Sequence, residues 1–275
     1  MLVWFVTFVC WCIYFSIFMS ITIKTEKEIA VLREGGRRLA EILRELEAAV
    51  RPGRTAAELN TLAEKLVAKG GDRSAFFNYK PYGAKRPYPA SLCVSINDEV
   101  VHGIPNEGEK VLKEGDIVSL DMGLIHEGLF TDMAVTVPVG EVDASAKKLL
   151  EVTEKALAVG IAAARAGNRV GDISFAIESF VKPHGLGIVE ELAGHGVGYK
   201  VHEDPYVPNY GKKNSGPILK AGMIIAIEPM VNEGGKAVVL SPDGYTYKTA
   251  DGKRSAHFEN TIAVTTGGAE ILTTL

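Results

Sequence analysis

Two stretches of this chain repeat one another, and that repeat constrains the fold more than any other feature. LKEGDIVSLD at residues 112–121 aligns with LKAGMIIAIE at 219–228, which sets Asp121 opposite Glu228. A second pair, RPGRTAAEL at 51–59 and RAGNRVGDI at 165–173, occurs in the same order, each copy between two segments of helical pattern. One weak match arises by chance. Two in order imply halves each built as helix, turn, helix and then strands ending in an acid, arranged about a pseudo-two-fold axis where the carboxylates meet.

Local patterns supply the pieces. Thr25 and Glu28 form a Thr-x-x-Glu capping box, and Ile29, Leu32, Leu39, Leu43, Leu46 and Val50 follow on one helical stripe. Gly36 interrupts this stripe as a coiled-coil seam and Pro52-Gly53 ends it, so the helix is expected to pack on a sheet. A second capping box, Thr55 to Glu58, starts a helix running toward Gly70-Gly71. The period then shortens. LCVSIN, DIVSLDMGLI, LFTDMAVTVPV, MIIAIEPMV and FENTIAVTT read as strands, and residues 145–165 and 172–182 as helices. The run from 78 to 89, rich in Pro, Gly and Tyr, reads as a loop.

Asp121 and Glu228 each end an apolar run that reads as a buried strand. A buried carboxylate either takes up a proton or meets a cation, because unpaired burial of its charge is very costly. With Glu127-Gly128 as a two-residue hairpin turn, Asp121 faces Ala134 and Asp132 faces Gly123, so the aspartates share one sheet face as diagonal neighbours. Glu259, in HFENTIAVT, heads the last apolar strand. Taken singly, each reads as an ordinary hydrogen-bonded acid near a strand end; several in matching halves change that reading. His195 lies in GHGVG, where the flanking glycines let the backbone turn and present the imidazole, and no GxGxxG after a strand supports a nucleotide loop instead.

Asp121, Asp132, Glu228 and Glu259 carry charge to balance two divalent cations, with His195 adding a neutral nitrogen. Oxygen-rich ligation with one imidazole suits manganese, iron, cobalt or zinc in an open catalytic site. Two bridged ions generate a hydroxide nucleophile at neutral pH, polarise a carbonyl and can hold a free amino terminus, which makes hydrolysis of the adjoining amide natural chemistry. His102 in VVHGIP and His202 in VHEDP lie near turns and are candidate donors to the scissile amide or tetrahedral intermediate.

Composition narrows the partners and the compartment. A formal net charge of -4 gives no bulk electrostatic case for nucleic acid. Cys10, Cys12 and Cys93 form neither a disulfide framework nor a zinc module, which suits a reducing cytoplasm. Residues 1–23 carry no charged side chain and as a helix would cross a hydrocarbon layer of roughly 30 Å. The basic residues after them would then keep the rest of the chain in the cytoplasm. The competing reading starts translation at Met19 and makes residues 1–18 a start-site artefact; either way residues 24–275 form a single catalytic domain.

Taken together, CVSINDEVVHGIP, SLDMG with TDMAVTV, GHGVGYKVHEDP, IAIEPMV and SAHFENTIAVT resemble the motif series of type I methionine aminopeptidases, in order from about Thr25 to the C-terminus. The resemblance implies a duplicated α+β pita-bread fold around a dinuclear site, with removal of the initiator methionine from nascent proteins as the activity. It implies Asp121, Asp132 and Glu259 as ligands of one metal and Asp132, His195, Glu228 and Glu259 as ligands of the other. Glu228 then matches a proton shuttle, and His102 and His202 match substrate-contacting histidines. Implied partners are N-terminal methionyl peptides, with ribosome association and a monomeric state. The chain departs from the pattern around the methionine pocket: the loop KPYGAKRPYP is longer, Val201 replaces an aromatic residue, and Tyr245 stands where Trp is frequent, with Tyr88 and Cys93 nearby. The competing functions are an X-Pro aminopeptidase or prolidase-like hydrolase on the same fold, and a non-catalytic binding module.

Overall fold

The computed structural model describes residues 21–275, so the apolar run over residues 1–20 lies outside it. Among the described residues no helix is long and apolar enough to cross a membrane. The helices are α1 (Glu26–Ala49), α2 (Ala56–Gly70), α3 (Ala144–Ala163) and α4 (Val170–Val181). The strands of the first half are β1 (Arg73–Ser74), β2 (Cys93–Ile96), β3 (Glu99–Val101), β4 (Ile117–His126) and β5 (Leu129–Pro138). Those of the second are β6 (Gly187–Ile188), β7 (Ala193–Gly196), β8 (Glu203–Pro208), β9 (Ile224–Ile227), β10 (Met230–Asn232), β11 (Val238–Leu240), β12 (Tyr247–Thr249), β13 (Ser255–His257), β14 (Glu259–Val264) and β15 (Ala269–Ile271).

Both capping boxes form, with Thr25 and Thr55 each accepting from the third helical N–H while Glu28 and Glu58 accept from the cap backbone. Helix α1 continues through Gly36. A Cβ there would stand 2.3 Å from the Leu272 carbonyl oxygen, so the glycine serves close approach of the C-terminal segment rather than a break. Helix α4 begins two residues before its expected start, because Asp172 accepts from the Arg169 N–H and caps the first turn.

One sheet runs through the molecule in the order β1-β4-β5-β14-β9-β7-β8, with β2 also on β4 and β15 also on β14. Helices α1 and α2 cover the first half, where Leu39, Leu43, Leu46 and Leu59 pack on Val94, Leu120 and Met122. Helices α3 and α4 cover the second, where Leu149, Ile173 and Ile177 pack on Ile225, Ile227 and Ile262. The seam is the antiparallel β5–β14 pair, which sets Glu259 beside Ala134.

The duplication extends to individual hydrogen bonds. The Gly53 N–H donates to the Leu112 carbonyl, Leu112 N–H to Arg54, and Ala56 N–H to Lys110. In the second half Gly167 donates to Leu219, Leu219 to Asn168, and Val170 to Pro217 in the same pattern. Beyond them, Gly115 donates to Val139 and Val139 to Asp116, as Gly222 donates to Val264 and Val264 to Met223.

The strand expected over MIIAIEPMV is interrupted. Pro229 has no N–H to give the ladder, so β9 stays in the large sheet while β10 pairs with β13 and β6 in a separate three-stranded sheet.

Candidate metal centre

The acids gather where the two halves meet. Glu127 and Gly128 hold φ of 46° and 86°, the backbone of a tight two-residue hairpin turn, and the register sets Asp121 opposite Ala134 and Asp132 opposite Gly123, as the sequence implies. Glu259 pairs with Ala134 from the other side. Directly paired residues share a sheet face, so Asp121, the methyl of Ala134 and Glu259 form a row across three strands, with Asp132 two residues along on the same face. Glu228 follows the last residue of β9, and its own carbonyl is held by the Asn209 side-chain amide.

A cavity of about 490 Å³ opens over this floor and is lined by Asp121, Asp132, His195, Glu228, Glu259, His102 and His202. The five candidate ligands and the two candidate donor histidines therefore border one space. Single ligand atoms of Asp132, His195 and Glu259 lie within 4.8 Å of one another. Asp132 is 3% and Glu259 2% exposed, and Oε1 of Glu259 has no hydrogen-bond partner among the described residues. Burial raises the pKa of all four carboxyls, to about 7 for Asp121 and for Glu228. Mutual repulsion adds to the rise at Asp121, Asp132 and Glu259.

His195 is oriented with Nε2 toward the acids. Its Nδ1 lies 2.9 Å from the Gly196 carbonyl oxygen, which can only accept, so Nδ1 donates there and Nε2 is the ring nitrogen that faces the cavity. Nε2 lies 3.5 Å from Oε1 of Glu228. A ring nitrogen and a carboxylate oxygen at this spacing repel unless a proton or a metal cation lies between them. An oxygen-rich donor set with one prepared imidazole, an orphaned buried carboxylate oxygen and clustered acids fits divalent metal ions.

The remaining histidines lie above the floor. His102 holds φ 59°, which non-glycine residues rarely adopt, and burial, aided by His257 and His195, lowers its pKa to about 4. The His202 ring crosses that of His195 at a 4.4 Å centroid separation, and its Nδ1 lies 2.9 Å from the Tyr79 hydroxyl. Burial, with His195 and His102 as like neighbours, lowers the His202 pKa.

Tyr88 and Tyr245 meet edge to face at 5.2 Å in the apolar wall, beside Cys93 and Phe76. Val201, implied at the pocket rim, is instead buried and does not line the cavity; Tyr79 of the long loop stands on that side.

Sequence reasoning passed over two groups. Tyr79 belongs to a loop without periodicity. His257 lies inside the quoted motif SAHFENTIAVT, yet nothing in the sequence separates it from an ordinary core histidine; in the fold its Nε2 is 3.4 Å from Glu228 and 3.9 Å from Glu259.

Comparison with known proteins agrees with this geometry. The pattern of metallopeptidase family M24 matches residues 30–266. The methionine aminopeptidase of Clostridium perfringens is 47% identical over 253 residues, covering 92% of this chain and 98% of that protein. The crystal structure of methionine aminopeptidase from Thermotoga maritima superposes with a TM-score of 0.88 at 45% identity, over 93% of this chain and all of that one. The Xaa-Pro dipeptidase from Bacillus anthracis, at 24% identity and a TM-score of 0.74, shares the fold, and this chain spans 62% of its length. With the duplicated fold and the clustered acids in place, this chain belongs to metallopeptidase family M24.

Proposed function

We propose that this protein is a methionine aminopeptidase that hydrolyses the first peptide bond of nascent proteins, with Asp121, Asp132, His195, Glu228 and Glu259 as ligands of two divalent ions. The observation that carries the reading is Nε2 of His195 facing Glu228 at 3.5 Å, among buried carboxylates contributed by both halves. Family membership and the identity to methionine aminopeptidases support the same conclusion.

When bound, the ions supply Lewis acidity, lowering the pKa of water and polarising the scissile carbonyl. The chain's own residues do the rest. Glu228, which borders the cavity, takes the proton from water and returns it to the leaving amine. The Tyr79 hydroxyl lies 2.9 Å from Nδ1 of His202, and when it donates there the ring proton stays on Nε2. His202 is then a neutral donor to the developing oxyanion, and His102 a neutral donor to the substrate amide. Phe76, Tyr88, Cys93 and Tyr245 offer an unbranched thioether an apolar wall with aromatic contacts for its sulfur.

The same reading makes residues 24–275 one catalytic unit, a cytoplasmic monomer acting beside the ribosome and making no specific nucleic-acid contact; the net charge of -4 supports the last point. The test is an assay of the full chain on methionyl-alanyl and X-Pro peptides, with metal content measured on the same sample. Release of methionine together with bound divalent ions is expected. Cleavage of the proline-adjacent bond alone would favour the prolidase-like reading, and absence of both metal and turnover the binding module.

A further inference from the structure

His257 is 1% exposed, and among the described residues neither ring nitrogen has a hydrogen-bond partner. An imidazole buried in that state is costly, so its position calls for a physical reason. Its direction is not set by the ring. The His257 N–H donates to Thr136 Oγ1 at 2.8 Å, the Thr136 hydroxyl donates to the His257 carbonyl at 2.7 Å, and Ser119 Oγ lies 2.8 Å from that hydroxyl. The backbone at 257 is thus bolted to the first half, and the ring is aimed from there at the outer oxygen of Glu228.

The duplication makes the position more telling. Gly123 pairs with Asp132 in the first half, and Met230 pairs with His257 in the second. His257 therefore stands at the pseudo-symmetric counterpart of Asp132. Asp132 lines the cavity; His257 does not, and lies behind the carboxylates of the floor. A carboxylate at 257 would add a fifth negative charge against two divalent ions, whereas a neutral imidazole adds none and offers an N–H.

We infer that His257 is a positioning residue: its Nε2–H donates to Oε2 of Glu228, turning Oε1 toward His195 and the cavity. The 3.4 Å gap is wider than a formed hydrogen bond and closes with a shift of about 0.4 Å, an adjustment that follows when Oε1 is drawn onto an ion. Partners of this kind fix the orientation and basicity of ligating carboxylates. The inference rests on the proposed metal centre.

Calorimetric titration of the full chain with Mn²⁺ tests it, alongside kcat and KM at saturating metal. His257→Leu should weaken binding by about 10- to 100-fold and lower kcat with little change in KM, while His257→Gln, which keeps an N–H donor, should stay within about threefold of the parent. Parent-like affinity in His257→Leu, or equal damage in both variants, would overturn the assignment. A measurement on the unmutated protein removes dependence on the fold of a variant. Pulsed electron paramagnetic resonance of the Mn²⁺-loaded, ¹⁵N-histidine-labelled chain should detect one coupled imidazole, that of His195. Two would make His257 a ligand and contradict the positioning role alone; none, or no bound ion, would contradict the metal centre and with it the proposed function.

Discussion

The two halves of the molecule share a scaffold and differ at the floor of the cavity. At the helix starts they match bond for bond, from Gly53 and Leu112 to Gly167 and Leu219. At the strand ends they part. The first half runs an unbroken hairpin from Ile117 to Pro138 and presents Asp121 and Asp132 on one face. The second half breaks at Pro229, sends its continuation into another sheet, and presents Glu228, Glu259 and the buried His257. Duplication thus secures the frame, and divergence at a few positions makes a floor that neither half could build alone.

The largest expected effect comes from removing the Asp132 carboxylate that the unbroken half contributes to the floor. Asp132→Asn should abolish peptidase turnover while the metal-free protein melts no lower than the parent, because one of several repelling charges is gone. Parent-like rates would remove Asp132 from the site. His202, contributed by the divergent half, comes next: His202→Ala should lower kcat by roughly 10²- to 10³-fold, the scale for losing a donor to a developing oxyanion. Steady-state kinetics on a methionyl peptide checks both.

A pH experiment probes the floor as a joint product of the halves. In the metal-free protein burial raises the carboxyl pKa values, to about 7 for Asp121 and Glu228, so the native state holds more protons than the unfolded chain. Their contribution to metal-free stability is therefore fully present below the unfolded values and is lost as pH rises through about 7. Metal ions bind the deprotonated carboxylates, so the rise in melting temperature on adding Mn²⁺ should grow from about pH 5 to about pH 7.5. A metal-induced shift that shrinks over that range would contradict the clustering of acids.

The smallest effect is expected at the loop. Tyr79→Phe removes one hydrogen bond worth about 1 kcal/mol and should lower kcat by no more than about tenfold, leaving metal affinity unchanged. Metal loss in that variant would tie the loop to the floor instead.

How much of this was legible depended on the range of the signal. The repeat placed Glu228 opposite Asp121, and Glu127-Gly128 set the register that puts Asp132 on the same face, both from local patterns. Glu259 was legible as an acid heading an apolar strand. The break at Pro229 was written in the sequence but masked by the apolar residues around it. His257 was not legible, because its meaning depends on the Met230 pairing that the break creates. The buried ion pair of Lys24 with Glu203 and the Tyr79 contact to His202 join distant segments and have no periodic signature.

The most direct measurement is anomalous diffraction from crystals of the protein loaded with Mn²⁺. Two neighbouring peaks are expected, one bounded by Asp121, Asp132 and Glu259 and the other by Asp132, His195, Glu228 and Glu259. An ion held by residues of one half only, or no peak at the cavity floor, would contradict a centre shared between the halves.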